Sequence, residues 1–322
     1  MKIYVAAASP SNTRQYKKLL ELWTISSKKH QICNTPEEAD FIIITDIAGP
    51  GWFKDLRNHA AIKKPSQCFA VSDADYPMPL LHGVYTSHSK KLKFSSRFRT
   101  GAYNLFPEKS KNLIVQQSAT NAYLEPKNFL YSFIGQDSSS VRLILFKMLS
   151  KKKDVLIVNS TEKFNAYHLK GENPKREQRS YVKTIIESKF ALCPKGTSGA
   201  SMRLFEVMQL GVAPIIISDE WILPKGPLWQ EFAIVIKEKN IHQIDSILRD
   251  CENEYAIMGK KAQLAYKSFF ADNVYFDYLI NQLIDIKKNQ KIPEKFFWNC
   301  RNFIVKFWMF QRRLGLPCLG RY

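Results

Sequence analysis

SKFALCPKGTSGASMRLFEVMQLGVAPIIISDEWILPKGPLWQEFAIVI, residues 188 to 236, carries more structural information than the rest of the chain. The apolar run from Phe190 to Cys193 reads as a buried strand and stops at Pro194-Lys195-Gly196. A loop of small residues, Thr197 to Ser201, follows it, and then a helix bearing Arg203 and Glu206 that Gly211 closes. A second buried strand, Pro214 to Ile217, begins at once. This is a strand–loop–helix–strand unit of an α/β fold with parallel sheets. The first N–H groups of such a helix lack internal partners and sit at the positive end of its dipole, so the loop suits a phosphorylated ligand.

The side chains around the loop fit that ligand. Gly196 and Gly199 let the backbone approach an anion closely. Ser201 suits the N-cap, and its hydroxyl can instead face a phosphate oxygen. Arg203 offers a planar fork of donors matched to a diphosphate, and the Glu206 carboxylate can accept the two hydroxyls of a ribose. Spacing alone describes equally well an Arg–Glu surface pair at i, i+3, which contributes about 0.3 kcal/mol.

The order Phe-x-Leu-Cys-Pro-Lys-Gly, Ser-x-Arg-x-x-Glu, Gly-x-x-Pro-x-Ile-x-Ser-Asp-x-Trp-x-Leu-Pro resembles the C-terminal half of the exostosin family, glycosyltransferase family 47. Upstream, NFLYSFIGQDSSSVR from Asn128 to Arg142 resembles the strand and Gly-led polar loop that open the same domain in that family. The N-terminal part matches loosely, and Lys195 stands where the family usually has Arg, keeping the charge but losing the bidentate geometry. The resemblance, to the bacterial type of the family, implies a GT-B architecture: two Rossmann-like domains with parallel sheets facing across a cleft, the second holding a nucleotide-sugar. It implies inverting glycosyl transfer with no required cofactor. In that reading Gly196, Ser198 and Ser201 line the diphosphate, Arg203 neutralises it and Glu206 holds the ribose. Lys195 adds charge, while Gly135, Ser138 and Arg142 belong to a second loop aimed at the same ligand. Asp219 follows the second strand, where it touches the sugar or merely caps the next turn.

With 322 residues the chain accommodates two domains. The expected boundaries are an acceptor domain at 1–126, a donor domain at 127–286 and a helical tail at 287–322. Strands are expected at Lys2 to Ala7, Phe41 to Thr45, Cys68 to Val71, Gly83 to Thr86, Val155 to Val158 and Ala233 to Ile236, and the polar stretch Lys170 to Arg179 reads as a loop. The six cysteines show no CxxC pair, which predicts unbridged thiols in a reducing compartment. The chain opens directly as a strand, so no signal peptide is expected, and no apolar run is long enough for a membrane span.

The formal charge is +19, more than a diphosphate donor explains. Residues 287–322 hold nine Lys and Arg against the single acid Glu294. A helix over Lys295 to Arg313 would gather Phe303, Ile304, Phe307, Trp308 and Phe310 on one broad side, with Lys295, Lys306 and Arg313 outside it. Basic, aromatic and amphipathic together, it fits an anionic membrane surface; packing on the protein body is the plainer reading.

An inverting transfer needs a base at the acceptor hydroxyl. The candidates are Asp75, then Asp73, then His82, with Asp46 and His59 behind them; carboxylates at strand ends face ligands in open α/β sheets and also cap helices. Asp73-Ala74-Asp75 has the Asp-x-Asp form of a metal site. It lies in the acceptor half, and Arg203 already supplies charge for the leaving group, so no metal is expected. The whole reading is a cytoplasmic glycosyltransferase, peripheral on the inner membrane face. It would move sugar from a UDP-sugar, ahead of a GDP-sugar used by a fucosyltransferase-like enzyme, to a glycan or glycolipid acceptor such as capsule, O-antigen or lipopolysaccharide core. A polyanion-binding protein is the alternative of a different class; no nucleic-acid motif supports it.

Overall fold

Two parallel sheets, each built on strands apolar along their whole length, divide the chain into two units. The structure, a computed structural model, describes residues 1–47, 52–75, 80–91, 95–106, 111–118, 121–148, 152–161 and 174–313. The first unit comprises Met1–Pro107, Glu220–Lys225 and Ala271–Tyr322; the second comprises Glu108–Asp219 and Gly226–Phe270.

The first unit contains β1 (Lys2–Ala7), α1 (Arg14–Thr24), β2 (Gln31–Ile32), β3 (Phe41–Thr45), α2 (Trp52–Arg57), β4 (Cys68–Ser72), β5 (Gly83–Tyr85) and β6 (Phe98–Arg99). Its six-stranded sheet runs in the order β2-β1-β3-β4-β5-β6, and every pairing is parallel. FIIIT of β3 is buried at every position, as a strand covered on both faces must be.

The second unit contains α3 (Leu113–Gln117), β7 (Phe129–Gly135), α4 (Ser140–Lys147), β8 (Val155–Asn159), α5 (Pro174–Ile186), β9 (Ser188–Pro194), α6 (Met202–Leu210), β10 (Ala213–Ile217), β11 (Ile234–Ile236), α7 (Ile244–Asp250) and α8 (Tyr255–Phe269). Its sheet order is β11-β10-β9-β7-β8, again parallel throughout. After β8 the chain crosses to the other side of β7, so the sheet reverses direction between β7 and β9. Ligands of open α/β sheets bind outside the strand C-termini at such a reversal. Gly135 and Pro194 are the two strand ends there.

The chain then returns to the first unit as α9 (Asp272–Lys288), α10 (Glu294–Asn299) and α11 (Arg301–Arg313). Trp298 and Val305 join the core formed by Ile42, Ile44, Leu56 and Tyr85. The units therefore differ from the expected boundaries of 126 and 286. α9 is part of the first unit, and so is Glu220–Lys225, although it follows β10 of the second sheet in the chain. There Trp221 bridges Ser89, donates its indole N–H to Thr86 O at 2.9 Å and is 4% exposed.

Two local expectations change. The expected loop at 170–179 is helix α5 from Pro174 onward, while 170–173 lie outside the described residues. The tail helix is broken at Cys300, and of the side chains expected on one side Phe303, Phe307 and Phe310 share an exposed one while Ile304 turns toward the core. Val305 is buried and Ile304 partly so, whereas Phe303, Phe307 and Phe310 are exposed; the side chains of Trp308 and Arg313 lie outside the described ones. The five described cysteines are unbridged, and Cys318 lies outside the described residues.

Candidate functional site

Where β9 ends, the backbone turns tightly before α6. Lys195 N bonds Ile217 O at 3.0 Å and Gly196 N bonds Ala200 O at 3.2 Å. The adjoining loop after β7 is stitched to this turn from the start of α4. Ser139 caps α4 and donates its hydroxyl to Lys195 O at 3.0 Å. Arg142 donates to three backbone carbonyls: Lys195 O at 3.0 Å, Gln136 O at 3.2 Å and Pro194 O at 3.4 Å. Its fork thus ties one loop to the other. Ser138 and Gly196 face each other across this seam: a Cβ on Gly196 would lie 3.9 Å from Ser138 Oγ and 3.4 Å from an Arg142 nitrogen.

Ser201 is the N-cap of α6, is 6% exposed and makes no capping bond; its hydroxyl has no protein partner. Arg203 lies in the first turn of α6. Its guanidinium sits over the Phe133 ring at 4.5 Å and near Tyr181 at 5.4 Å, and it donates to Ile134 O. Its Nε is buried without a partner. Gly135 makes the room, because a Cβ there would meet Phe133 Cζ at 2.8 Å and Arg203 Nη2 at 3.0 Å. Glu206 accepts a 2.6 Å bond from the Tyr181 hydroxyl through Oε2. Burial raises its carboxyl above the usual range, against the opposing pull of the Tyr181 bond and of Arg203. The surface-pair reading of Arg203 and Glu206 is thereby excluded, since each has a different partner and both are half-buried.

Lys195 and Asp219 meet at a residue that the sequence pattern did not single out. Glu238 holds Lys195 Nζ at 2.8 Å through Oε2 and accepts from Asp219 N at 3.0 Å through Oε1. Asp219 in return accepts from Glu238 N at 3.1 Å, so its described bond is that of a turn cap. Tyr181, Phe133 and Glu238 were all missed. Phe133 lies in the quoted Asn128–Arg142 stretch but was not singled out there, whereas Tyr181 and Glu238 lie in no motif and only the fold brings them beside the loop. Ser218, the Ser of the Gly-x-x-Pro-x-Ile-x-Ser-Asp string, was not singled out as a site residue; it is buried just past β10 with its hydroxyl unpartnered. Ser198 is buried within the turn. A site with two unpartnered buried donors, a helix N-terminus and a carboxylate one turn along can hold a diphosphate and a diol; leaving such donors unbonded costs about 1–3 kcal/mol each.

The first unit separates the three candidate bases. Asp75 is exposed, with the Tyr103 hydroxyl donating to it at 3.2 Å. Asp73 is 1% exposed and accepts from Arg14 Nη2 at 3.0 Å and from Gln15 Nε2. Burial, with Asp46 and Asp75 nearby, outweighs Arg14 and pushes its carboxyl up to about 6. His82 is a correction. It is fully buried, stacked on Phe69 at 4.0 Å and pushed down to about 3, first by burial and then by Arg97, so it has no surface from which to take a proton. Asp46 caps α1, accepting from Gln15 N and Tyr16 N at 2.9 Å each. His59 lies just past α2 beside a cavity of about 510 Å³ that is also lined by Tyr16 and Asn58. Among the described residues no three His, Cys, Asp or Glu side chains gather in a way that could hold a metal ion.

Two Rossmann-like parallel units followed by C-terminal helices are the make-up of a GT-B protein. The Exostosin GT47 domain profile matches residues 80–251, and the chain belongs to that family. It is similar to the "Probable glucuronosyltransferase GUT1" of Oryza sativa subsp. japonica, 35% identical over 92 residues, which are 28% of this chain and 22% of that one. It is also similar to the "Exostosin-1 homolog" of Caenorhabditis elegans, 25% identical over 182 residues, 54% of this chain and 43% of the relative. The chain thus spans less than half the length of these relatives. Among solved structures it resembles the Anabaena protein HepE in complex with UDP, with a TM-score of 0.38 at 9% identity over 88% of this chain and 99% of that one. It also resembles a Rickettsia africae glycosyltransferase, with a TM-score of 0.40 at 14% identity over 89% and 97%.

Proposed function

We propose that the chain transfers a glycosyl group, with inversion, from a nucleoside diphosphate sugar to a hydroxyl of a glycan or glycolipid. The observation that carries this reading is the unpartnered, buried Ser201 hydroxyl at the N-terminus of α6, beside the buried Arg203 Nε. The helix end and Arg203 stabilise the negative charge that grows on the diphosphate as the bond to the sugar breaks. Glu206 Oε1, the oxygen that Tyr181 leaves free, accepts from the ribose. A uridine nucleotide is the donor proposed ahead of a guanosine one. The relatives' names speak of glucuronosyl transfer and, for an Arabidopsis thaliana protein 33% identical over 91 residues, of β-1,4-xylosyl transfer, which supports a sugar transferase without naming this chain's sugar. On the acceptor side Asp75, the exposed carboxylate, takes the hydroxyl proton. The charge of +19 favours acidic acceptors such as capsule, O-antigen or lipopolysaccharide core.

The test is a screen of UDP- and GDP-sugars read by released nucleoside diphosphate, on wild type and Arg203→Ala. The variant is expected to lose about 2–4 kcal/mol of transition-state stabilisation, roughly thirtyfold to a thousandfold in kcat. Full turnover by the variant removes Arg203 from the leaving-group role.

A further inference from the structure

α11 presents apolar side chains in two opposite directions. Inward, Val305 is 6% exposed and shares the first unit's core with Trp298, with Ile304 packed against it. At 100° per residue Phe303, Phe307 and Phe310 fall within an arc of about 60° on the other side. They are 71%, 50% and 58% exposed, and the first two rings stack at 6.2 Å. Phe296 on α10 is 58% exposed as well. Packing on the protein therefore accounts for one side of this helix and leaves an aromatic row facing water, which is unfavourable for apolar surface.

The charge around the row has one sign. Glu294, the single acid of residues 287–322, is fully buried and paired with Arg97, so the exposed surface of this segment presents no carboxylate side chain among the described residues. Lys306 stands exposed on the same helix as the row, and Lys295 stands exposed on α10 next to Phe296 in the chain. Two copies meeting through this face would bring two strongly basic tails together, which disfavours a dimer. No helix of the described residues is long and apolar enough to cross a membrane.

We infer that the outward face of α11 lies in the surface of an anionic phospholipid bilayer, with Phe303, Phe307 and Phe310 at the headgroup–acyl boundary and Lys295 and Lys306 against headgroup phosphates. The inference is independent of the donor reading, because its readout uses no turnover.

The experiment is co-sedimentation of the full chain with vesicles of phosphatidylcholine alone or mixed with phosphatidylglycerol. Binding is expected to the mixed vesicles, to weaken with added salt and to be slight on phosphatidylcholine. Phe303→Ser/Phe307→Ser/Phe310→Ser is expected to bind about tenfold more weakly or worse, with an unchanged unfolding midpoint because the replaced rings are exposed. Lys295→Gln/Lys306→Gln, which leaves the aromatic row intact, is expected to lose about fivefold per lysine on mixed vesicles only. Equal vesicle binding by wild type and both variants overturns the inference. So does a wild-type dimer that binds no vesicles and that the triple variant dissociates.

Discussion

The Tyr181 hydroxyl favours the ionised form of the Glu206 carboxyl. Burial alone drives Glu206 toward its neutral form, and the Tyr181 hydroxyl, with Arg203, pulls the other way. In Tyr181→Phe that opposition weakens and the Glu206 carboxyl is raised further, so nucleotide binding should fall about tenfold at the lower of two pH values and recover in part at the higher. Calorimetric titration with UDP at both pH values checks this, and an equal loss at both would assign Tyr181 a packing role. Asp73 makes a second residue-scale case. Its carboxyl is raised from 3.8 to about 6, so the folded state holds that proton more tightly than the unfolded chain does. Its contribution to stability therefore grows as pH falls from 6 toward 4, and above pH 6 its ionised form costs on the order of 3 kcal/mol. Urea unfolding of Asp73→Asn across pH 4 to 7.5 should show a flatter pH dependence and no loss of stability at neutral pH. An unchanged slope would place the titration elsewhere.

At the scale of elements, helix ends rather than helix middles position the candidate site. Gly211 closes α6 at φ 78°, with Val212 N returning to Val207 O at 3.1 Å. A Cβ there would meet Tyr123 at 3.1 Å and Gln263 at 3.3 Å. Gly211→Ala should cost about 1–2 kcal/mol in thermal unfolding, and a neutral result would mean that the turn relaxes freely. This turn was legible from the chain itself, as were β3, β9 and β10, because continuous apolar runs bounded by Pro and Gly have a local cause. The loop after β9 was legible for the same reason, and Arg203 at the start of α6 by its spacing from Ser201 and Glu206. The bond from Tyr181 to Glu206 was not, since the two residues are 25 positions apart and only the packing of α5 beside α6 joins them. His82 misled because a histidine beside a strand looks the same in sequence whether it faces solvent or Phe69. The two directions of α11 were also hidden, because a helical wheel says which side chains align and not which neighbours they meet.

For the whole molecule, the Arg97–Glu294 pair holds the C-terminal helices to the first unit. Both side chains are buried, Arg97 Nε donates to Glu294 at 3.0 Å, and the guanidinium lies over Phe297 at 3.7 Å. Removing one partner leaves an uncompensated charge inside, so Glu294→Ala should lose about 3–5 kcal/mol in urea unfolding. A loss below about 1 kcal/mol would show that apolar packing of Trp298 and Val305 suffices.

Neither unit is one uninterrupted piece of polypeptide. A ribosome releases every strand of the second sheet by Ile236 and the last helix of its unit by Phe269, whereas the amino-terminal sheet waits for helices that begin at Asp272. The half synthesised first is thus the half completed last. Severing the chain near residue 107 would yield no autonomous amino-terminal fragment, only a sheet without its lid of helices.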